Sequence, residues 1–502
     1  MSNSNIIEET EPQETPEEIS SRLIKEICQP LMLENEKLQQ IKEAFLIDLQ
    51  MGLCKYSHGK SMSKCWLTFV QELPGGCENG TFLALDWSGG INFRFVAIYL
   101  KCKKDFHMDS KIYEIPGKLL NGPGVDVFDF IAESLSAFVK TFQVIAADDE
   151  SLPMAVNFEF QVKQSSINKA ELVAWDNGIN CPDVVGRDVL QMLREAIERR
   201  GEIKLQMLIL VRQPIGTLMN GAWHDQNCKI SLNVGAASSC KACYVEKVTN
   251  MSIYHNPKGN TIPTMLICCE WGSLGDNGKL EFLQSRYDKE IDAKSQNPNA
   301  KLLEKLLNLE NLGELLRLLL MDCLQAELLC KGNISEQLRQ EGSFKTEYMF
   351  LIATQPPQNH DITREIFEKL GYKNPTDFDC EQMYFICNTI LRRSAYLVAA
   401  IIACLIERVG DPYTVVAIDG PLSHLHEIYN CLIAAKLSQL VRPEHKFRLM
   451  LSEDGSGRGA ALTSAVINSK CQAEMLKMKL VSRSSTRKSN NGGAKRNTEN
   501  LF

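Results

Sequence analysis

The sequence predicts an α/β fold made of two similar halves with a ligand between them. Three observations carry this. From Phe82 to Ile98 the chain reads FLALDWSGGINFRFVAI: an apolar run ends on Asp86, turns through Gly89 and Gly90, and resumes with Phe93, Phe95 and Ala97 in alternation. That is the pattern of a β-hairpin with a glycine-rich turn. A second glycine-bearing hairpin spans Lys229 to Glu246, where ISLNVGAAS puts Gly235 at the tip of an apolar strand, and helical periodicity follows both units. Finally, 502 residues with 44% hydrophobic content are ample for large cores.

Composition removes several classes of function. A formal net charge of -7 and a pI near 5.8, with no Arg/Lys cluster inside the body of the chain, leave no broad basic surface for a nucleic acid. The first twenty residues carry Glu8, Glu9, Glu11, Glu14, Glu17 and Glu18 rather than a basic and then apolar leader. The longest uncharged apolar run, Ala395 to Ile406, is twelve residues. A bilayer span needs about twenty, so this run is expected to be a buried helix and no membrane span is expected. Eighteen cysteines without a repeating spacing point to reduced thiols and a cytosolic location. Cys240 and Cys243 form one CxxC, but no second pair or His partner follows, and a structural zinc needs four ligands. Core thiols are the expectation.

In chain order, residues 1–17 are rich in Glu, Pro and Thr and are expected to be disordered. From Ile19 to Leu53 the pattern is helical, with Leu38, Ile41, Phe45 and Leu49 on one stripe. The first hairpin follows, its strand pattern reaching Leu100. Its glycines allow close backbone approach and its turn amides can form an anion nest, so a phosphate cradle and an ordinary turn both remain open. Phe128, Ile131, Leu135, Phe138 and Phe142 mark an amphipathic helix. A short strand is expected over Ala155–Val162, a helix over Asp188–Arg200 with Gly201 as its cap, and a strand over Leu205–Val211. After the second hairpin, Leu302, Leu306, Leu309, Leu316 and Leu320 predict core helices within Lys301–Leu329. A strand over Thr414–Ile418 ends in Asp419 and Gly420, and Leu449–Ser452 leads into EDGSGRGAA at Glu453–Ala461. Residues 469–502 form a basic low-complexity tail.

These segments resemble the eukaryotic hexokinase family from about Ile19 to Val466. The matching motifs stand in the family's order: LALD with GG and NFR at Leu83–Arg94, FDFIAESLSAFV at Phe128–Val139, VGRDVLQMLREAIERRG at Val185–Gly201 and EWGSLGDNG at Glu270–Gly278. YDKEID at Tyr287–Asp292, NP at Asn297 and Pro298, RRSA at Arg392–Ala395, IDG at Ile418–Gly420 and LSEDGSGRGAA at Leu451–Ala461 complete the series. The resemblance implies the actin-like ATPase (ribonuclease H-like) fold, with a small-lobe region at 18–213 and a large-lobe region at 214–468. It also implies ATP-dependent phosphorylation of D-hexoses at the 6-hydroxyl, with hexose and ATP as partners and Mg-ATP as cofactor if the protein is active. No residue is assigned to hold a metal directly, and no protein partner is identified.

Phosphoryl transfer to a sugar hydroxyl needs a carboxylate to take the proton and cations or amides around the γ-phosphate. The family's VNDTVGT-like segment matches VRQPIGT at Val211–Thr217, so the catalytic aspartate position holds Gln213 and the asparagine position Arg212. An amide is no general base at neutral pH. The family's Thr-Lys pair matches Asp176 and Asn177, its sugar-strand serine and proline match Glu159 and Gln161, and the asparagine before EWG matches Cys268. Glu270 and Glu290 remain of the hexose-gripping set. On the nucleotide side the resemblance implies Asp86, Gly89, Gly90, Asn92, Gly235, Ala236, Asp419, Gly420, Gly455 and Ser456. There, one residue is inserted after Asp86, Ile91 replaces a threonine, GAASS at Gly235–Ser239 replaces GTGSN, and Pro421 replaces a serine. Two readings follow: an impaired or inactive hexokinase-like protein kept as scaffold, sensor or inhibitory partner, or an active hexokinase with altered sugar choice, acting in glycolysis. Arg212 is expected either to pair with Glu270 and Glu290 inside the hexose space or to snorkel outward.

Overall fold

The computed structural model of the chain describes residues 14–88, 90–101, 105–145, 151–175, 178–235, 240–255, 262–356, 358–425 and 427–473. Its strands are β1 (Lys64–Leu67), β2 (Gly80–Trp87), β3 (Asn92–Lys101), β4 (Asp105–Glu114), β5 (Leu152–Phe158), β6 (Gln161–Ser166), β7 (Lys169–Ala174), β8 (Leu205–Val211), β9 (Cys228–Asn233), β10 (Lys241–Lys247), β11 (Thr264–Glu270), β12 (Tyr413–Asp419) and β13 (Lys446–Leu451).

The duplication is real in the topology. The first sheet runs β4-β3-β2-β5-β8, with its first three strands antiparallel and β5 and β8 parallel to β2. The second runs β11-β10-β9-β12-β13 with the same order and the same directions. β1 adds to its β11 edge, and β6 with β7 forms a separate ribbon.

In β2 the period of two sorts the side chains. Leu83, Leu85 and Trp87 join a core with Phe128, Ile131, Leu190 and Leu193 of helices Gly124–Phe142 and Val189–Arg200. Phe82 and Ala84 face the other way, onto Ile215 and Met219 of helix Gln213–His224 and Ala460 and Ala461 of a helix running from 457 through 473. Both faces are covered, which is why the run is continuously apolar. The helix ends also follow local chemistry: Asp188 accepts the Leu190 N–H, and Gly201 closes that helix at φ 68°.

The Ala395–Ile406 run lies inside helix Asp377–Val409, which Thr376 and Asp379 open with a capping box. It is long and apolar enough to cross a membrane, yet 89% of its most apolar window is buried in the fold. Cys240 and Cys243 are both buried thiols.

Four expectations need correction. Thr15 caps helix Pro16–Cys28 through a capping box with Glu18, so ordered structure begins before residue 18; residues 1–13 lie outside the described chain. The segment 18–67 does not belong to the small lobe. Leu38, Ile41, Phe45 and Leu49 bury their stripe against the long helix, in one core with Ile390, Val398 and Ile402, and β1 pairs with β11. An amphipathic stripe follows the largest apolar surface on offer, and that surface is in the large lobe. The strand expected over Ala155–Val162 is broken after Phe158, where the chain bends and Phe160 enters an aromatic cluster with Trp87, Phe158 and Trp175. Finally, residues 469–473 continue a helix rather than opening the tail; 474–502 lie outside the described residues.

Candidate ligand cleft

In open α/β sheets the carboxyl ends of parallel strands are where side chains meet a ligand. Here β5 ends just before Glu159 and β8 just before Arg212 and Gln213. Across from them, β11 ends on Glu270, whose register partner is Lys241 at the start of β10. Two carboxylates and two cations from the two sheets thus converge.

Glu159 is the centre of this group. Its Oε1 accepts the Gln213 backbone N–H at 2.6 Å, and its Oε2 accepts from Lys241 Nζ at 2.6 Å. Burial alone raises its pKa, but the Lys241 ammonium, the Gln213 amide and the Arg212 charge outweigh burial and hold the carboxyl below its ordinary range. Conversely, burial lowers the pKa of Lys241, and Glu159 and Glu270 outweigh it, so that ammonium is raised. Arg212 is buried: Nη1 lies 3.8 Å from Glu270 Oε1, Nη2 donates to the Val162 carbonyl at 3.4 Å, and the guanidinium lies 5.3 Å from the Trp66 ring centre. Of the two expectations for Arg212 the inward one is found, with Glu270 as its carboxylate. Glu290 instead pairs with Lys294 at 3.0 Å on the surface.

One strand over from β5 in the same sheet, Asp86 is buried and accepts from Asn157 at 2.8 Å, Arg94 at 3.0 Å, Ser456 at 2.7 Å and Ser88. Arg94 also pairs with Asp454. Gly90 has φ 78°, and its carbonyl accepts the Trp87 indole N–H at 3.0 Å; Asn92 opens β3 on the exposed side. Asp419 accepts the Gly420 N–H at 2.7 Å and lies 3.0 Å from His424 Nε2. Gly420 has φ 105° and passes so close to Val234 that a Cβ would lie 2.3 Å from its carbonyl oxygen. Gly235, at φ 101°, has Leu422 in the same relation, with a Cβ position 2.8 Å from its backbone nitrogen. A Cβ on Gly455 would lie 2.5 Å from Thr217 Oγ1, and Thr217 reaches Asp419 at 3.4 Å. Asp86, Ser456, Gly455 and Asp419 are thereby linked into one neighbourhood. Gly89, Asp176, Asn177 and Ala236 lie outside the described residues. Among the described residues no group of three or more His, Cys, Asp or Glu could hold a metal ion.

Sequence reasoning passed over Lys241, Trp66, Arg94 and Asp454 as functional side chains. For Lys241 the signal was present: a lone cation opening the apolar strand KACYVEK. Trp66 gave none, because β1 reaches this site only through the large-lobe sheet.

A family model described as Hexokinase matches residues 23–223 and a second so described matches 230–466. The chain is 34% identical over 444 residues to hexokinase-1 of Homo sapiens, covering 87% of this chain and 47% of that protein. It is 35% identical over 452 residues to hexokinase HKDC1 of Homo sapiens, covering 88% and 48%. The chain thus spans about half the length of the curated relatives it matches. Among solved structures, a hexokinase from Schistosoma mansoni complexed with glucose superposes with a TM-score of 0.75 at 28% identity over 90% of this chain and 99% of that one. Another solved hexokinase gives 0.76 at 25% identity, over 89% and 99%. Twin sheets of one topology around a cleft are the actin-like ATPase architecture of these neighbours, and the chain belongs to the hexokinase family.

Proposed function

We propose that this chain is a hexokinase-family protein that keeps a sugar cleft but has impaired or no phosphotransfer, acting in the cytosol as a scaffold, sensor or inhibitory partner. One observation carries this reading. The helix that starts after β8 presents Gln213, and the carboxylate beside it, Glu159, is already bound by the Gln213 N–H and by Lys241, each at 2.6 Å. A general base must give up such stabilisation before it can take a proton, and a carboxyl held below its ordinary range is a poor acceptor. Losing a general base costs roughly 10²–10⁴ in rate.

Sugar as the ligand class rests on the likeness to the Schistosoma mansoni hexokinase solved with glucose. Mg-ATP, which the family implies, would bring a metal to offset phosphate charge. Among the described residues, Asp86, Gly235, Gly420 and Gly455 do not fit it as they stand. Asp86 has its oxygens taken by four side-chain donors, and Gly235, Gly420 and Gly455 hold neighbouring chain segments rather than an open cradle.

The test is ADP release by purified protein with Mg-ATP and glucose, fructose or mannose. Release at background level is expected. Turnover within an order of magnitude of the enzyme median of ~10 per second establishes the active-kinase reading instead.

A further inference from the structure

Arg212 is a buried cation short of acceptors. A guanidinium carries five N–H donors. Among the described residues Arg212 has one hydrogen bond, 3.4 Å to the Val162 carbonyl, while its Nε is buried and has no partner. Among the described residues its nearest carboxylate, Glu270, stands at 3.8 Å, beyond hydrogen-bond reach, on a side chain 39% exposed. Lys241 does not share the shortage, being held at 2.6 Å by Glu159. Beside Arg212, the Trp66 indole N–H is also buried without a partner.

Leaving buried donors unmet costs stability, most of all for a charged group. A planar carboxylate satisfies a guanidinium fork bidentately, where a neutral hydroxyl offers one weaker acceptor. Glu270 can yield the position cheaply because water already reaches it. We propose that the cleft takes an acidic sugar, a hexuronate, with its carboxylate seated on Arg212 in place of Glu270, its ring against Trp66 and a ring oxygen accepting the Trp66 N–H. This rests on the reading of a sugar cleft without phosphotransfer and names its ligand class.

The test is calorimetric and thermal-shift titration of the full chain with sodium D-glucuronate, D-glucose and sodium acetate, all without nucleotide. Glucuronate is expected to bind and to raise the melting temperature more than glucose or acetate at equal concentration. Glu270→Gln removes the competing carboxylate from a half-exposed side chain and is expected to tighten glucuronate about tenfold; Arg212→Gln is expected to weaken it by at least as much. No glucuronate binding by either the native chain or Glu270→Gln overturns the proposal. So does a response to glucose or acetate equal to that for glucuronate, or glucuronate binding unchanged in Arg212→Gln. Because ATP is left out, failure here is distinct from failure of the phosphotransfer reading, which ADP release alone decides.

Discussion

Lys241 Nζ lies 2.6 Å from Glu159 Oε2 and ties the two sheets together across the cleft, with only 16% and 8% of the two side chains exposed. Such a pair gains little over a well-packed apolar pair, but breaking it from one side strands a charge. Lys241→Met is therefore expected to cost about 3–5 kcal/mol in urea unfolding. Glu159→Gln combined with Lys241→Met is expected to recover most of that loss. A single-variant loss near zero would mean that water, not the fold, solvates Glu159.

The same pair sets a pH dependence. The folded pKa of Glu159 is below its unfolded value, so its contribution is present in full above the unfolded carboxyl value of about 4.3 and is lost as pH falls through the folded pKa. For Lys241 the folded pKa is raised, so its contribution is present below the unfolded value of about 10.4 and fades as pH rises through the folded one. The stability gap between the native chain and Glu159→Gln should thus be constant near neutrality and shrink in acid. Denaturation midpoints taken across acid pH check this; a gap that widens in acid has the wrong sign.

How much of this was legible beforehand differs between fold and cleft. The hairpin at Phe82–Ile98, the capped helix ending at Gly201 and the buried run Ala395–Ile406 depend on patterns within a few residues, and they stand where the sequence placed them. What needed the structure was partnership across long separations. Nothing near Lys64–Leu67 says that β1 joins β11, about two hundred residues later. Nor does any local pattern pair Lys241 with Glu159, or turn Arg94 toward both Asp86 and Asp454. For Arg212 the motif order named the neighbours but left an inward and an outward side chain equally open, and burial in the folded chain decides for the inward one. Its choice of Glu270 over Glu290 depends on where helix Arg286–Lys294 sits, and no motif encodes that.

Where helix Gln213–His224 meets the last helix, glycines set the spacing. A Cβ at Gly216 would lie 2.2 Å from the Gly455 carbonyl oxygen, and one at Gly459 would lie 2.0 Å from that of Gly216. Backbone, not a flexible side chain, blocks both positions. Gly216→Ala and Gly459→Ala are each expected to destabilise by about 1–3 kcal/mol as the helices are pushed apart. Gly59→Ala, with nothing within 4 Å of the new methyl group, should change stability by less than about 0.5 kcal/mol. Thermal unfolding of the three proteins compares them directly, and equal effects at all three would remove the packing explanation.

Gln213→Asp returns a carboxylate to the start of the helix after β8. Arg212 and Lys241, both cationic and both near Glu159, would keep the new group ionised, and therefore available but weakly basic. The gain in ADP release with Mg-ATP and glucose is expected to stay at or below the ~10²–10⁴ that one general base supplies. Arg212→Asn added to Gln213→Asp removes the buried cation and opens the hexose side. If proton transfer limits the native chain, the double variant should exceed the single one in turnover at saturating glucose. If neither variant rises above background, binding as well as chemistry is lost; on the nucleotide side Asp86 is saturated by Asn157, Arg94, Ser88 and Ser456. Ser456→Ala then becomes the next variant to measure, because it removes one of the two donors on Asp86 Oδ2, leaving Arg94 there, without touching the sugar side.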